Sequence, residues 1–246
     1  MDKFITYSQS SKDALRIMQM SSNLPVNILV NGQSGIGKKQ LIKTVFPNIP
    51  SYNIDEFENL LAQNEINLKE YQAIILYGIN KIKNKKIVFE KLENIRIIAT
   101  SFLNYEDKES KFAIKIEIEP LENRKEDLDY LIQTYTNEAK KIYNISVTPK
   151  DVKINLSGNG RTLKQSIYKS ILLRSISKND LKDILCDFIK DELSKNKKSY
   201  KELLEFFEVP LLKAAKSVYK SQLQISKNLK INRITVRKKL TKYFGE

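Results

Sequence analysis

Residues 26–46 hold the feature that limits the fold most. Val26-Asn-Ile-Leu-Val30 is a short apolar run bounded by Pro25 and Gly32, and it reads as a buried strand. It leads into Gly32-Gln-Ser-Gly-Ile-Gly-Lys-Lys39 and then a helical stretch, Gln40 to Phe46. Strand, glycine-rich loop, helix is the context a phosphate-binding loop needs. Glycines let backbone N–H groups turn toward phosphates, the helix N-terminus adds positive potential, and Lys38 can reach the terminal phosphates. The alternative is that the glycines are there only because the turn is tight.

Other strands follow. Ser51–Ile54 is weak, whereas Ala73–Tyr77 and Ile95–Ala99 are strong. Residues 113–119 alternate, with Ile114, Ile116 and Ile118 against Lys115, Glu117 and Glu119. Helical segments separate most of these strands, an alternation that predicts a parallel sheet with helices on both faces. Before the sheet, residues 8–20 suggest a helix with Ala14, Leu15, Ile17, Met18 and Met20 on its apolar face. After it come a long helix over Arg124–Tyr143, a turn at Asn155–Gly160, and helices over Arg161–Leu173 and 178–193. Lys195–Ser199 reads as a linker or a helix break.

The end of the chain has a different character. Ser221 to Tyr243 reads as two short helices joined by a turn at Lys230, Ile231 and Asn232. Ser221 and Asn232 are N-caps, Leu223, Ile225 and Leu229 face inward from the first helix, and Val236, Leu240 and Tyr243 or Phe244 from the second. Arg233 and Arg237 are four apart and share a face, flanked by Lys238, Lys239 and Lys242. Net charge is +14, and residues 199–246 carry 11 basic against 4 acidic side chains. From Lys213 to Lys242 there are ten Lys or Arg and no Asp or Glu. A basic second helix of this kind suits major-groove reading, where Arg forks onto guanine and other cations hold phosphates. A merely solvated basic helix is the bland alternative. So is a solvated loop for Lys81, Lys83, Lys85 and Lys86, and a core or rim position for Tyr71, Tyr77 and Tyr105.

Val209-Pro-Leu-Leu-Lys-Ala-Ala-Lys and Ile231-Asn-Arg-Ile-Thr-Val-Arg-Lys-Lys-Leu resemble the Fis-type DNA-binding domain over the last 48 residues. The resemblance implies a dimer core from a long helix and a helix opening at the Pro-Leu-Leu. It implies that Asn232, Arg233, Thr235, Arg237 and Lys238 meet bases or phosphates, and that Gln222 meets the DNA backbone. Lys242 joins them as a phosphate contact. Lys220 and Lys230 stand where the family has Gly, and a left-handed conformation at Lys230 costs about 1 kcal/mol.

Residues 1–175 are similar to the AAA+ domain of NtrC-type regulators. Asn23–Lys38 matches its opening strand and Walker A, Glu119–Leu128 the entry to its helical lid, and Gly158-Asn-Gly-Arg-Thr-Leu its sensor II, with Arg161 on the nucleotide-sensing arginine. The departures bear on function. Lys39 replaces the hydroxyl that holds Mg²⁺, and the Walker B strand ends Leu76-Tyr77-Gly78 with no Asp or Glu from Tyr71 to Phe89. The polar sensor I residue is lost near Ser101-Phe102, and the arginine acting across subunits falls on Ser110 or Lys111. Only about 40 residues separate Walker A from Walker B, which leaves out the sigma-54-contacting GAFTGA loop. Without Mg²⁺ and a positioned base, phosphoryl transfer loses its main electrostatic help.

The expected fold is therefore α/β: a P-loop AAA+-like parallel sheet with a helical lid, followed by an all-α Fis-type helix-turn-helix domain. The expected divisions are residues 1–122 for the core, 123–177 for the lid, 178–198 for a helix and linker, and 199–246 for DNA binding and dimerisation. The expected function is a sequence-specific DNA-binding transcription regulator, not an enzyme, that does not activate sigma-54 polymerase. Alternatives are a nucleotide-switched ATPase and an adaptor in mixed oligomers with an intact AAA+ regulator. Expected partners are double-stranded DNA, a second copy through the C-terminal domain, and a protein partner through the body. No receiver domain is expected before the body, and any signal is expected through the body itself. No cofactor is required, although Gly32, Gly35, Gly37, Lys38, Lys39 and Arg161 would form a residual ATP or ADP site. No catalytic or metal-ligating residue is expected. With one Cys and no His, intramolecular disulfides and His-based metal sites or catalysis are excluded. No apolar run approaches the roughly 20 residues of a membrane span, and the N-terminal stretch is polar and amphipathic rather than a signal peptide, so a cytoplasmic protein is expected.

Overall fold

The computed structural model describes residues 3–102, 105, 110–196 and 198–245. The chain forms two compact units, Met1–Ser175 and Ile176–Glu246.

The first unit is built on a five-stranded sheet of β1 (Ile28–Asn31), β2 (Ser51–Asn53), β3 (Ala73–Tyr77), β4 (Arg96–Ser101) and β5 (Ile114–Glu117). The order is β2-β3-β4-β1-β5, with every neighbouring pair parallel. Parallel strands covered on both faces need apolar side chains at successive positions, and Ile28, Leu29 and Val30 are all fully buried. Strand alternation divides these side chains. Ile28, Val30, Ile75 and Ile98 pack with α1 (Gln9–Met20) and α2 (Lys38–Val45) through Met18, Leu41 and Ile42. Leu29, Ile74, Leu76, Ile97 and Ala99 pack on the other face with α3 (Ile54–Ala62) and α4 (Lys85–Lys91) through Ile54, Phe57 and Val88. Burial of this kind stabilises by about 1.5–3 kcal/mol per large side chain. At the edge, β5 keeps Lys115 and Glu117 exposed while Ile116 is buried. On α1, Ala14 and Met18 are buried as expected, but Ile17 and Met20 are exposed, so the covered stripe is narrower than the sequence suggests.

Two further helices, α5 (Lys125–Tyr143) and α6 (Asn159–Ser175), share a third core of Leu131, Ala139, Leu163, Ile167 and Ile171. The latter starts two residues before the expected Arg161. Asn159 explains this: its side chain accepts from the Leu121 amide at 2.8 Å and donates to the Ser34 carbonyl at 3.0 Å. Those bonds fix the helix start against the glycine-rich loop. Asp127 of α5 is fully buried and accepts from the amides of Tyr7 (2.6 Å) and Ser8 (2.9 Å) and from the Ser11 hydroxyl. It thereby satisfies orphan N–H groups at the start of α1.

The second unit contains α7 (Lys178–Asn196), α8 (Tyr200–Val218), α9 (Gln222–Leu229) and α10 (Arg233–Phe244). Within the expected linker, α7 runs on to Asn196 and Ser199 already caps α8 through a capping box with Glu202. Residue 197 lies outside the described residues. No helix opens at Pro210, contrary to expectation. Pro210 lies inside α8, where its missing N–H removes one helical hydrogen bond. A small core of Leu212, Ala215, Ile225, Val236 and Leu240 joins α8, α9 and α10.

Candidate functional site

Two places combine charge with geometry, one in each unit. In the first unit, the glycine-rich loop runs from β1 into α2 beside a cavity of about 970 Å³. Gly35 adopts φ +77°, and a Cβ there would lie 2.2 Å from the Gly158 carbonyl oxygen. The close approach is sealed by the Gly160 amide donating to the Gly35 carbonyl at 3.1 Å. Gly32 and Gly37 shape the same loop.

Lys38 is held by the loop that precedes it. Its ammonium donates to the carbonyls of Gly32 (2.5 Å) and Gln33 (2.7 Å). Partial burial without a carboxylate partner pushes its pKa from 10.5 down to about 8. Lys39 points elsewhere. Its Nζ lies 4.2 Å from the centroid of the Tyr77 ring and 3.4 Å from Asn53 Oδ1. Arg161, exposed on α6, lines the same cavity, so the structure brings Lys38, Lys39 and Arg161 together around it.

The end of β3 carries no acid. After Tyr77, the Gly78 amide donates to Thr100 Oγ1 at 3.0 Å, and Asn80 Oδ1 stands 3.4 Å from the Ser101 hydroxyl. A divalent ion would need oxygen ligands here. Lys39 offers an ammonium instead, and no group of three His, Cys, Asp or Glu suited to a metal occurs among the described residues. Position 39 and the end of β3 thus lack the hydroxyl and the acid that hold Mg²⁺ in a P-loop, and the carboxylates that line the cavity are the exposed Asp55 and Glu56 of α3.

Sequence reasoning missed three contributors to this cavity. Asp55 and Glu56, in the first turn of α3, line it from a neighbouring strand's end. Buried Arg124 lines it as well, with its guanidinium 3.6 Å from Asp127 Oδ2 and 3.3 Å from the Ile36 carbonyl. The Asp and Glu at a helix start were a readable local signal. Arg124 had no such signal, because its partners come from other elements.

The lowered pKa of Lys38 gives a test of the loop. The unfolded chain binds more protons than the folded one between pH 8 and 10.5, so this group's penalty is full below pH 8 and vanishes above 10.5. Relative to Lys38→Met, the wild type should gain on the order of 1 kcal/mol of unfolding free energy between pH 7.5 and 10, allowing for solvent screening of a half-exposed group. Denaturant titration of both proteins at the two pH values checks this. An unchanged difference would contradict the burial argument.

In the second unit, α9 and α10 meet at the turn Lys230–Asn232. Lys230 takes the left-handed conformation, φ +54° and ψ +39°. Ser221 caps α9 by accepting from the Gln224 amide, and Asn232 caps α10 by accepting from the Ile234 amide at 2.8 Å. The Asn232 carbonyl oxygen is thus committed and its NH₂ group remains for other partners. Ile225, Val236 and Leu240 turn inward, but Leu223, expected there, is 46% exposed. Position 223 falls off the stripe that Ile225 and Leu229 define.

Arg233, Thr235, Arg237 and Lys238 are all exposed on α10, and Gln222 is half-buried at the start of α9. Lys242 differs, because its ammonium is paired with Glu205 of α8 at 2.6 Å. Lys239 pairs with Glu208, which also accepts from the Tyr243 hydroxyl at 2.9 Å. The Lys239 hydrogen bond holds the Glu208 carboxyl below the usual carboxylate range. One candidate escaped the sequence reading: Ile234, 65% exposed between Arg233 and Thr235.

No protein-family model matches the chain, and no curated protein does. Solved structures do. NtrX from Brucella abortus in complex with ATP matches 99% of this chain and 70% of its own, with a TM-score of 0.59 at 12% identity. Its complex with ADP gives the same coverage and TM-score at 14% identity. A further NtrX structure matches 97% of this chain and 69% of its own, TM-score 0.54, at 15% identity. At such identities the likeness establishes fold alone: α/β, of the AAA+ P-loop ATPase-like kind.

Proposed function

We propose that this chain is a sequence-specific DNA-binding transcription regulator whose AAA+-like body does not hydrolyse ATP. The observation that carries it is the outer surface of α10. It presents Arg233, Arg237 and Lys238 on a capped helix, with no carboxylate anywhere from Lys213 to Lys242. A helix entering the major groove with its N-terminal residues can fork Arg onto guanine and set an apolar group against a thymine methyl. Arg233 and Arg237 take the first role and Ile234 the second. Thr235, Lys238 and Gln222 hold phosphates, Asn232 meets the DNA through its free NH₂ group, and Lys242 does so only after leaving Glu205.

Fis-type dimerisation would set two such helices about one helical turn apart on the DNA. Exposed apolar side chains support it: Leu181, Ile184 and Phe188 on α7, and Phe207 and Val218 on α8. Among the described residues, no side chain of α7 is buried. The body, lacking acids after β3, serves instead to receive a ligand or a protein partner in the cytoplasm. Among the described residues, no helix is long and apolar enough to cross a membrane.

Recovery of fragments of the source genome by the full-length protein, at near-physiological salt, tests this reading. An enriched, roughly palindromic motif is expected. Uniform recovery with only A+T bias would replace site-specific regulation by an architectural role, and no recovery above background would refute DNA binding.

A further inference from the structure

The cavity of the first unit has a cation built into the place where a P-loop normally relies on a metal. Lys39 Nζ is positioned by the Tyr77 ring and by Asn53 Oδ1, and neither neutralises it. Its charge is therefore available to the cavity it lines. We propose that this cavity binds a nucleoside polyphosphate without magnesium, with the Lys39 ammonium standing beside the phosphates in the ion's stead. The inference is independent of DNA binding.

Three further observations carry it. First, the volume of about 970 Å³ lies at the upper end of small-ligand pockets, roughly 300–1,000 Å³, and Phe4, Ile5 and Leu131 add apolar wall suited to a base. Second, the charge balance favours an anion. Seven Lys or Arg line the cavity against Asp55 and Glu56. Pairing of Arg124 with Asp127 and of Lys164 with Glu138 still leaves cations in the majority. Third, Arg161 lines the cavity from an exposed position on α6, next to the Gly160 amide that donates to the Gly35 carbonyl of the glycine-rich loop. Backbone N–H groups of the glycine-rich loop at the start of α2 supply the remaining donors. An ammonium is a compact point charge with three donors, so it can offset phosphate charge without oxygen ligands of its own. The two carboxylates at the first turn of α3 lie on the exposed surface, where solvent screens their repulsion.

Equilibrium dialysis of the full-length protein with ATP, ADP and inorganic triphosphate, each in EDTA and in Mg²⁺, tests the proposal. ATP should bind with dissociation constants that agree within about twofold in the two buffers, and triphosphate about tenfold more weakly because it has no base. Lys39→Met should weaken ATP binding in EDTA about tenfold, and Lys39→Arg should restore it to within about threefold. Lys39 is exposed, so both variants keep the fold, which circular dichroism checks. No ATP or ADP binding up to about 1 mM would overturn the proposal, as would binding that requires Mg²⁺. Equal ATP affinity of Lys39→Met and wild type in EDTA would remove Lys39 from its role. Triphosphate binding as tight as ATP would overturn the nucleoside assignment. None of these results touches the DNA-binding reading.

Discussion

Replacing both Arg233 and Arg237 by Ala should weaken binding to a specific DNA site by about 2–5 kcal/mol, roughly 30-fold to several thousand-fold, at fixed salt. Each Arg is worth about 1–3 kcal/mol if it forks onto a base, and residues four apart on one helix couple, so the sum is an upper bound. Both side chains are exposed and outside the core of Val236 and Leu240, so the helix itself should survive the change. Base preference should relax at the positions they read. Lys242 makes an instructive contrast. Its ion pair with Glu205 must open before it can meet a phosphate, and an exposed, solvent-screened pair of this kind holds it only weakly. Its replacement should therefore cost little and act alike on specific and random DNA. Fluorescence anisotropy with labelled duplexes separates these outcomes. Unchanged affinity of the double variant would mean that α10 does not enter the groove.

A second large effect is expected in the first unit. Asp127→Ala should destabilise it by about 3–5 kcal/mol. The substitution removes the acceptor for the Tyr7 and Ser8 amides and the Ser11 hydroxyl, all at the start of α1. It also leaves the Arg124 guanidinium buried without its carboxylate. An uncompensated buried charge is the larger of the two costs. The consequence reaches the cavity, because Arg124 also donates to the Ile36 carbonyl within the glycine-rich loop. Asp127→Asn keeps one acceptor and should lose less. Chemical denaturation of the three proteins decides the matter, and a loss below about 1 kcal/mol for Asp127→Ala would show that α1 does not depend on this anchor.

The sheet was legible because its strands are short apolar runs with clear punctuation. β3 spans the expected Ala73–Tyr77, and the faces follow strand alternation. Local chemistry also announced the capping by Ser221 and Asn232 and the left-handed turn at Lys230. What periodicity could not report was which part of an amphipathic face finds a neighbour. Ile17 and Met20 on α1 and Leu223 on α9 are apolar but stay exposed, outside the stripes that pack. The continuation of α8 through Pro210 was hidden for another reason: a proline weakens a helix locally, and packing of Leu212 and Ala215 outweighs that cost. The sites followed the same division. Lys38, Lys39 and Arg161 could be named from motif positions, but the tether of Lys39 to Tyr77 depends on how β3 lies beside α2. Asp127 and Ser8 are 119 positions apart, and Lys242 and Glu205 are 37 apart. Pairs at such separations belong to the fold and leave no local trace.

The central claim is specific DNA recognition, and its most direct measurement is a ratio. Full-length protein should be titrated onto one fragment recovered from the source genome and onto a scrambled duplex of equal length, in one buffer at near-physiological salt. The account predicts an affinity ratio of at least about 10³ that collapses when Arg233 and Arg237 are both replaced. A ratio near one, with equal binding of both duplexes, would contradict it.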